Sequence, residues 1–225
     1  MRCGFTNTPG VELIIQINNY RIAKVYVTKY LELVVNEKLN WSNHINKLYN
    51  KLTPMIGALY RCNAYLTESN RYLIYNAYLL SNFRYLITIW GVCSNSSFKR
   101  AQVLQNKSVK SLFKLHYRTS SESLYKDLKL IPLSYILKIE QCKQIYKICS
   151  NNLKCNTVLI QNNQIHDHCT RGRDNIYLTN ARTNRCLLDP LSKAIESYNQ
   201  IPNMIKEMPY KLFLKNLKMF LNINN

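Results

Sequence analysis

Acidic residues are what this chain has least of. Its 225 residues include 12 Asp and Glu against 31 Lys and Arg, a formal net charge of +19. The carboxylates are scattered, with no two adjacent and no pair on one strand or helical turn. Two-metal phosphoryl transfer needs clustered carboxylates to hold ions about 3.5–4 Å apart, so no local centre for it exists. Glycine is scarce too. Gly4, Gly10, Gly57, Gly91 and Gly172 form no glycine-rich phosphate loop, which disfavours the common nucleotide-binding enzyme folds. Long apolar runs are also missing. The most apolar stretch, 78–93, is interrupted by Asn82 and Arg84, short of the roughly 20 residues that a membrane span needs. No membrane partner is therefore expected. The start, Met1-Arg2-Cys3-Gly4, has no apolar signal-peptide run, so the expected location is intracellular, nuclear or cytoplasmic, and not secreted. The eight cysteines include no C-x-x-C pair and read as reduced, mostly buried thiols.

What is present is a core and a charge. A hydrophobic content of 47 % excludes disorder throughout. The cationic excess points to a polyanionic partner, most often nucleic acid, against the plainer reading of surface lysines kept for solubility.

The chain divides at residues 40 and 150. Residues 1–40 read as a β meander, with strands at 11–17, 20–27 and 30–35 and an Asn18-Asn19 turn, since Asn tolerates the positive φ of a tight hairpin. From Trp41 the apolar period changes to 3.6, and 41–150 reads as a helical domain. Ser42 is the expected cap of a first helix carrying Ile45, Leu48, Leu52, Ile56 and Leu59, with Pro54 and Arg61 on its outer face. Thr67 caps a second helix with Tyr72, Tyr75 and Tyr78 in a row, which read as core in preference to a base-stacking stripe. An apolar stretch ends at Gly91. A third helix spans about 97–115, and others 121–128 and 133–149. Residues 151–225 read as a polar linker and a C-terminal extension. That extension has strands near 176–179 and 186–188, a helix capped by Asp189-Pro190, and a last helix opened by Pro209. The fold class is mainly α: a helical bundle with a short N-terminal antiparallel β meander and a small C-terminal α+β extension.

The third helix carries the sharpest pattern. At 100° per residue, Ala101, Gln105, Ser108, Val109 and Leu112 share one face, while Lys99, Arg100, Lys107, Lys110 and Lys114 share another. A solvated face usually mixes signs through i,i+4 pairs. Five cations without a carboxylate point to phosphate binding. Lys47 and Lys51 on the first helix are second-rank candidates. His166-Asp167-His168-Cys169 fits no standard zinc spacing and reads as structural. Thr170-Arg171-Gly172-Arg173 reads equally as a phosphate-binding turn or a structural loop.

The order of the segments resembles a known family. Lys29-Tyr30-Leu31-Glu32-Leu33, Leu39-Asn40-Trp41 and His44-Ile45 are similar to the K-Y-L-G…L-x-W…H-I stretch of jockey-type non-LTR retrotransposon reverse transcriptases. Downstream, Tyr75-Asn76-Ala77, Tyr85, Trp90-Gly91 and Leu104-Gln105-Asn106-Lys107 follow that family's Y-x-A…Y…W-G…L-Q-N/R-K series. The 166–171 segment resembles its H-x-x-x-T-R element. Residues 198–206 resemble W-N-x-L-P…I-K, with Tyr198 in place of tryptophan, and Phe213-Leu214-Lys215 resembles its final helix.

The resemblance implies the region after the polymerase palm: a primer-grip hairpin at Lys29, Tyr30, Leu31 and Glu32, a helical thumb, and a C-terminal extension. It implies a truncated RNA-directed DNA polymerase fragment, inactive alone, that holds an RNA–DNA or DNA duplex through its phosphates. The family's two-Asp motif is absent, so no cofactor is expected in this chain, whereas intact relatives would use Mg at the palm. Glu32 stands where the motif has glycine, putting a carboxylate where the backbone would approach phosphate. The alternative is a non-enzymatic helical protein-interaction module, self-associating through surface that the missing palm leaves exposed, or an unstable pseudogene product.

Overall fold

The computed structural model describes residues 15–150, 153, 159–165, 171–178 and 188–221, without the side chain of Glu122. It is mainly helical after a β-rich start, as the patterning predicts. The start differs in detail from three paired strands. Strands β1 (Ile15–Ile17) and β2 (Tyr20–Ile22) form one antiparallel hairpin, and β3 (Val27–Tyr30) and β4 (Leu33–Asn36) form a second. The first turn is the expected Asn18-Asn19, both at positive φ. The second turn cuts the strand expected at 30–35. Leu31 (φ 46°) and Glu32 (φ 62°) both take the left-handed conformation, which a two-residue hairpin turn demands and which neither residue type favours. Contacts outside the hairpin hold it there, as described below.

Helix α1 (Ser42–Cys62) buries His44, Ile45, Leu48 and Leu52. Its cap position is Trp41, at φ 61°. Ser42, expected as the cap, is instead the first helical residue, and its hydroxyl donates to Asn40 Oδ1 at 2.8 Å. After a 3₁₀ turn (Asn63–Tyr65), α2 (Glu68–Ile74) starts at Thr67, whose Oγ1 accepts from Asn70 N–H. The helix continues through a π-helical stretch (Tyr75–Leu80) into α3 (Ser81–Arg84). The tyrosine row splits in consequence: Tyr75 is buried, Tyr72 half-buried and Tyr78 exposed.

Helix α4 (Ile87–Trp90) ends at Gly91, where a Cβ would lie 2.4 Å from Ile87 O and 2.8 Å from Leu137 Cδ1. The close approach of the Ile87 main-chain oxygen therefore requires glycine. Helices α5 (Asn95–Leu112), α6 (Ser121–Asp127) and α7 (Leu133–Cys149) follow. Then come α8 (Pro190–Asn199), α9 (Asn203–Lys206) and α10 (Tyr210–Phe220).

Two apolar clusters make the core. The larger joins Leu33 to α1, the π-helical stretch and α3–α6, with Phe83 and Trp90 fully buried. The smaller packs α7 against α8 and α10 around Phe213 and Leu217. Helix α7 serves both: Leu133 and Ile136 face the first, Ile139, Cys142 and Ile145 the second.

Part of the expected polar linker is ordered. Asn162–Gln164 is a 3₁₀ turn with Gln161 at its cap position, and Asn162 Nδ2 donates to Gly172 O at 2.7 Å. Of the strand expected at 176–179, the described residues 176–178 form one bridge, Gln161 to Ile176, and residue 179 lies outside the described residues. Ile176 spends its main-chain groups on Asn199, whose Oδ1 accepts from Ile176 N and whose Nδ2 donates to Ile176 O. The strand at 186–188 and the zinc-like run at 166–169 lie outside the described residues, apart from Leu188.

Candidate nucleic-acid interface

Helix α5 lies beside α1 and runs in the same direction. Arg100 donates to Asn46 Oδ1 (3.0 Å) near their starts. Ser111 Oγ donates to Ile56 O (3.3 Å), and Asn63 Nδ2 donates to Ser111 O (2.8 Å), near their ends. The buried face of α5 is the expected one: Ala101, Gln105, Ser108, Val109 and Leu112 are all buried, with Leu104.

Gln105 is the hub of that face. Its Nε2 donates to Tyr75 Oη and Ile131 O, and its Oε1 accepts from Leu133 N–H and Tyr125 Oη. Every polar atom of this buried side chain is therefore bonded, which fixes the rotation of α5 against α6 and α7. With that rotation fixed, the opposite face and its cations point outward.

The five cations of this row are distributed along α5 and its end. Lys99 and Arg100 are exposed near the start. Lys107 reaches Tyr49, its Nζ 3.4 Å from the hydroxyl and 6.0 Å from the ring centre. Lys110 donates to Tyr117 O at 2.7 Å. Lys114 lies two residues past the helix, at φ 55°. There Leu115 N–H bonds back to Lys110 O (2.9 Å) and closes the helix, a left-handed position that glycine usually fills.

Lys107, Lys110 and Lys114 line a cleft of about 1120 Å³ between the ends of α1 and α5. Its other walls include Tyr60 and Arg61 from α1, and His116 and Tyr117 from the loop after α5. No carboxylate among the described residues lines it. Arg61, His116, Tyr60 and Tyr117 were not among the sequence candidates. Arg61 is assigned to an outer face by the period alone, but which neighbour that face meets depends on the α1–α5 packing.

Lys47 and Lys51 do not join this group. They lie on the other flank of α1, in a hollow of about 310 Å³ lined also by Glu32, His44, Ser81, Asn82 and Tyr85. Lys47 Nζ bonds both the main-chain oxygen and the carboxylate of Glu32, each at 2.9 Å. Lys29 pairs with the same carboxylate, and Tyr85 Oη donates to Leu31 O at 3.0 Å. These contacts hold the β3–β4 turn in its unfavourable conformation. The bonds from Lys29 and then Lys47 hold the Glu32 carboxyl down at about 2. Tyr30 and Leu31 are exposed.

His44, 7 % exposed, sits behind this turn with its ring 5.8 Å from that of Trp90. Burial, and then the Lys47 charge, lower its pKa to about 4. It is a neutral packing residue at pH 7.

Elsewhere, Glu140 bridges Arg84 and Lys143. Burial would raise its pKa, but the bonds from those two cations outweigh burial and lower it. Arg171 and Arg173 lie in an exposed turn, and Arg173 O accepts from Asn163 N–H. Among the described residues no three His, Cys, Asp or Glu side chains gather to hold a metal ion. No described helix is long and apolar enough to cross a membrane.

Comparison with known proteins gives a partial match. The chain is 27 % identical over 119 residues to a probable RNA-directed DNA polymerase from transposon X-element of Drosophila melanogaster, covering 52 % of this chain and 13 % of that protein. It is 26 % identical over 106 residues to the corresponding protein from transposon BS of the same organism, covering 45 % and 12 %. The chain is thus related over about half its length to proteins named as transposon RNA-directed DNA polymerases, and spans about an eighth of theirs. No family model matches it, and no solved structure does.

Proposed function

We propose that this chain is the post-palm part of a non-LTR retrotransposon reverse transcriptase of the jockey type, and that it holds template–primer nucleic acid by the phosphate backbone. The observation that carries this reading is the cleft of one charge sign, where Arg61, Lys107, Lys110 and Lys114 converge without a carboxylate. The partial similarity to two transposon polymerases supports it. Helices α1 to α7 correspond to the thumb in this reading, and the β3–β4 hairpin to the primer grip. Lys99 and Arg100 extend the contact along α5. Lys29 and Lys47 are engaged by Glu32, and so are second-rank contacts.

Phosphate contacts of this kind are insensitive to sequence and release counterions, so log affinity falls linearly with log salt, by about 0.9 per phosphate neutralised. Fluorescence anisotropy of the full chain with a labelled RNA–DNA hybrid that carries an unpaired 5′ extension, repeated across a salt series, measures that slope. We expect salt-dependent binding with little sequence preference. K107E/K110E lowers affinity and flattens the slope by about two units. Unchanged binding by this double variant would remove the assignment of the cleft.

A further inference from the structure

We infer that the cleft at the end of α5 receives an unpaired stretch of nucleic acid, one or two nucleotides with their bases stacked on Tyr60 and Tyr117, rather than a paired duplex. This inference rests on the α1–α5 face being a nucleic-acid surface, and names which form of the polymer the cleft end of it takes. The cations along α5 divide into two groups. Lys99 and Arg100 lie on open surface, whereas Lys107, Lys110 and Lys114 line the cleft, about 10 Å or more further along at 1.5 Å per residue.

The cleft volume of about 1120 Å³ is close to the roughly 300–1,000 Å³ of sites that enclose one small ligand. It matches a nucleotide or two and is far too small for a helical duplex. Its rims are aromatic. Tyr60 is 67 % exposed and Tyr117 70 % exposed, so much of each ring meets solvent beside cations that attract phosphate.

Tyr117 is also held in place. Lys110 bonds its main-chain oxygen, the His116 ring lies 4.5 Å away, and the Arg118 guanidinium carbon sits 5.3 Å from its ring centre. Bases in a duplex already stack on one another and offer these rings no face. Unpaired bases do, and every base has one. Asn106, on the cleft wall, spends its Oδ1 on Tyr125 Oη and Gln102 Nε2, leaving its amide N–H groups to bond a base edge.

The test uses the full chain with three labelled probes: a short oligouridine, a blunt RNA–DNA hybrid, and the same hybrid with an unpaired 5′ extension. Y60A and Y117A are expected to weaken binding of the oligouridine and the extended hybrid by about tenfold each. Binding of the blunt hybrid and the log–log salt slope should not change. Y117F, which keeps the ring, should match the original protein. In the unmutated chain, oligouridine bearing 4-thiouridine should photo-crosslink to Tyr60 or Tyr117, a readout that does not depend on a variant folding.

If the hybrids bind with a salt slope but the alanine variants bind all three probes normally, or the crosslink falls outside the cleft, this inference is overturned and the proposed function stands. If no probe binds the folded chain, the proposed function falls and this inference with it.

Discussion

His44 and Glu32 sit within one hollow, and both resist protonation in the fold, His44 because burial disfavours its charge and Glu32 because two lysines favour its own. The unfolded chain takes a proton on His44 near pH 6.5, and the folded chain only near pH 4. Between those values the unfolded state binds more protons. The stability held above pH 6.5 is therefore lost as pH falls through this window, by at most about 3.5 kcal/mol at 1.4 kcal/mol per unit. Urea midpoints at pH 7 and pH 4.5 should show that loss, and H44F should remove most of it. Glu32 stays ionised across the same range, because its carboxyl is held at about 2. Replacing it with glycine relieves the left-handed backbone of the turn but removes two exposed ion pairs, effects that oppose each other. E32G should leave the urea midpoint nearly unchanged while freeing Lys29 and Lys47, steepening the salt slope for the RNA–DNA hybrid by up to about two units. An unaltered slope would show that neither lysine meets phosphate.

Among the elements, those bounded by strong local chemistry were legible before folding. Helix α7 begins directly after Pro132 and ends at Cys149 as its period predicts. Helix α8 begins at Asp189-Pro190, where the Asp189 carboxylate accepts from Ser192 N–H at 2.8 Å. The β3–β4 turn was not legible, because Leu-Glu carries no turn signal. Its conformation is imposed by Tyr85 and Lys47, which are 54 and 15 residues away from their respective partners. The orientation of α5 was legible as a buried stripe, but not its cause. Q105L keeps the volume and removes the hub. It leaves Leu133 N–H and Ile131 O without partners in the interior and should cost about 3 kcal/mol, read as a lower denaturation midpoint with the α-helical spectrum retained at low denaturant.

At the scale of the molecule, two apolar clusters share one helix. Trp41 and Trp90 both belong to the first cluster, so tryptophan fluorescence follows that part alone, while far-ultraviolet dichroism follows every helix. Because α7 contributes to both clusters, the two signals should give coincident urea transitions. An early loss of helical signal would mean that α8 and α10 detach first. The candidate site belongs to this scale as well. The α5 cations could be read from one helix, but Arg61, Tyr60 and Tyr117 join them only because α1 and α5 end side by side. Lys47, by contrast, lies on the opposite flank, bonded to Glu32.

That shared direction of α1 and α5 also explains how so many cations tolerate one another. Each helix is a line of aligned peptide dipoles, worth about half a negative charge at its last turn. Two such ends meet where Arg61, Lys110 and Lys114 gather, and their carbonyls offset part of the mutual repulsion that carboxylates would otherwise have to neutralise. Because these negative poles are backbone, an anion entering the cleft would displace no acidic side chain of the described residues. The positive potential over the cleft stays open to solvent, a condition that favours fast, electrostatically steered capture of a charged strand.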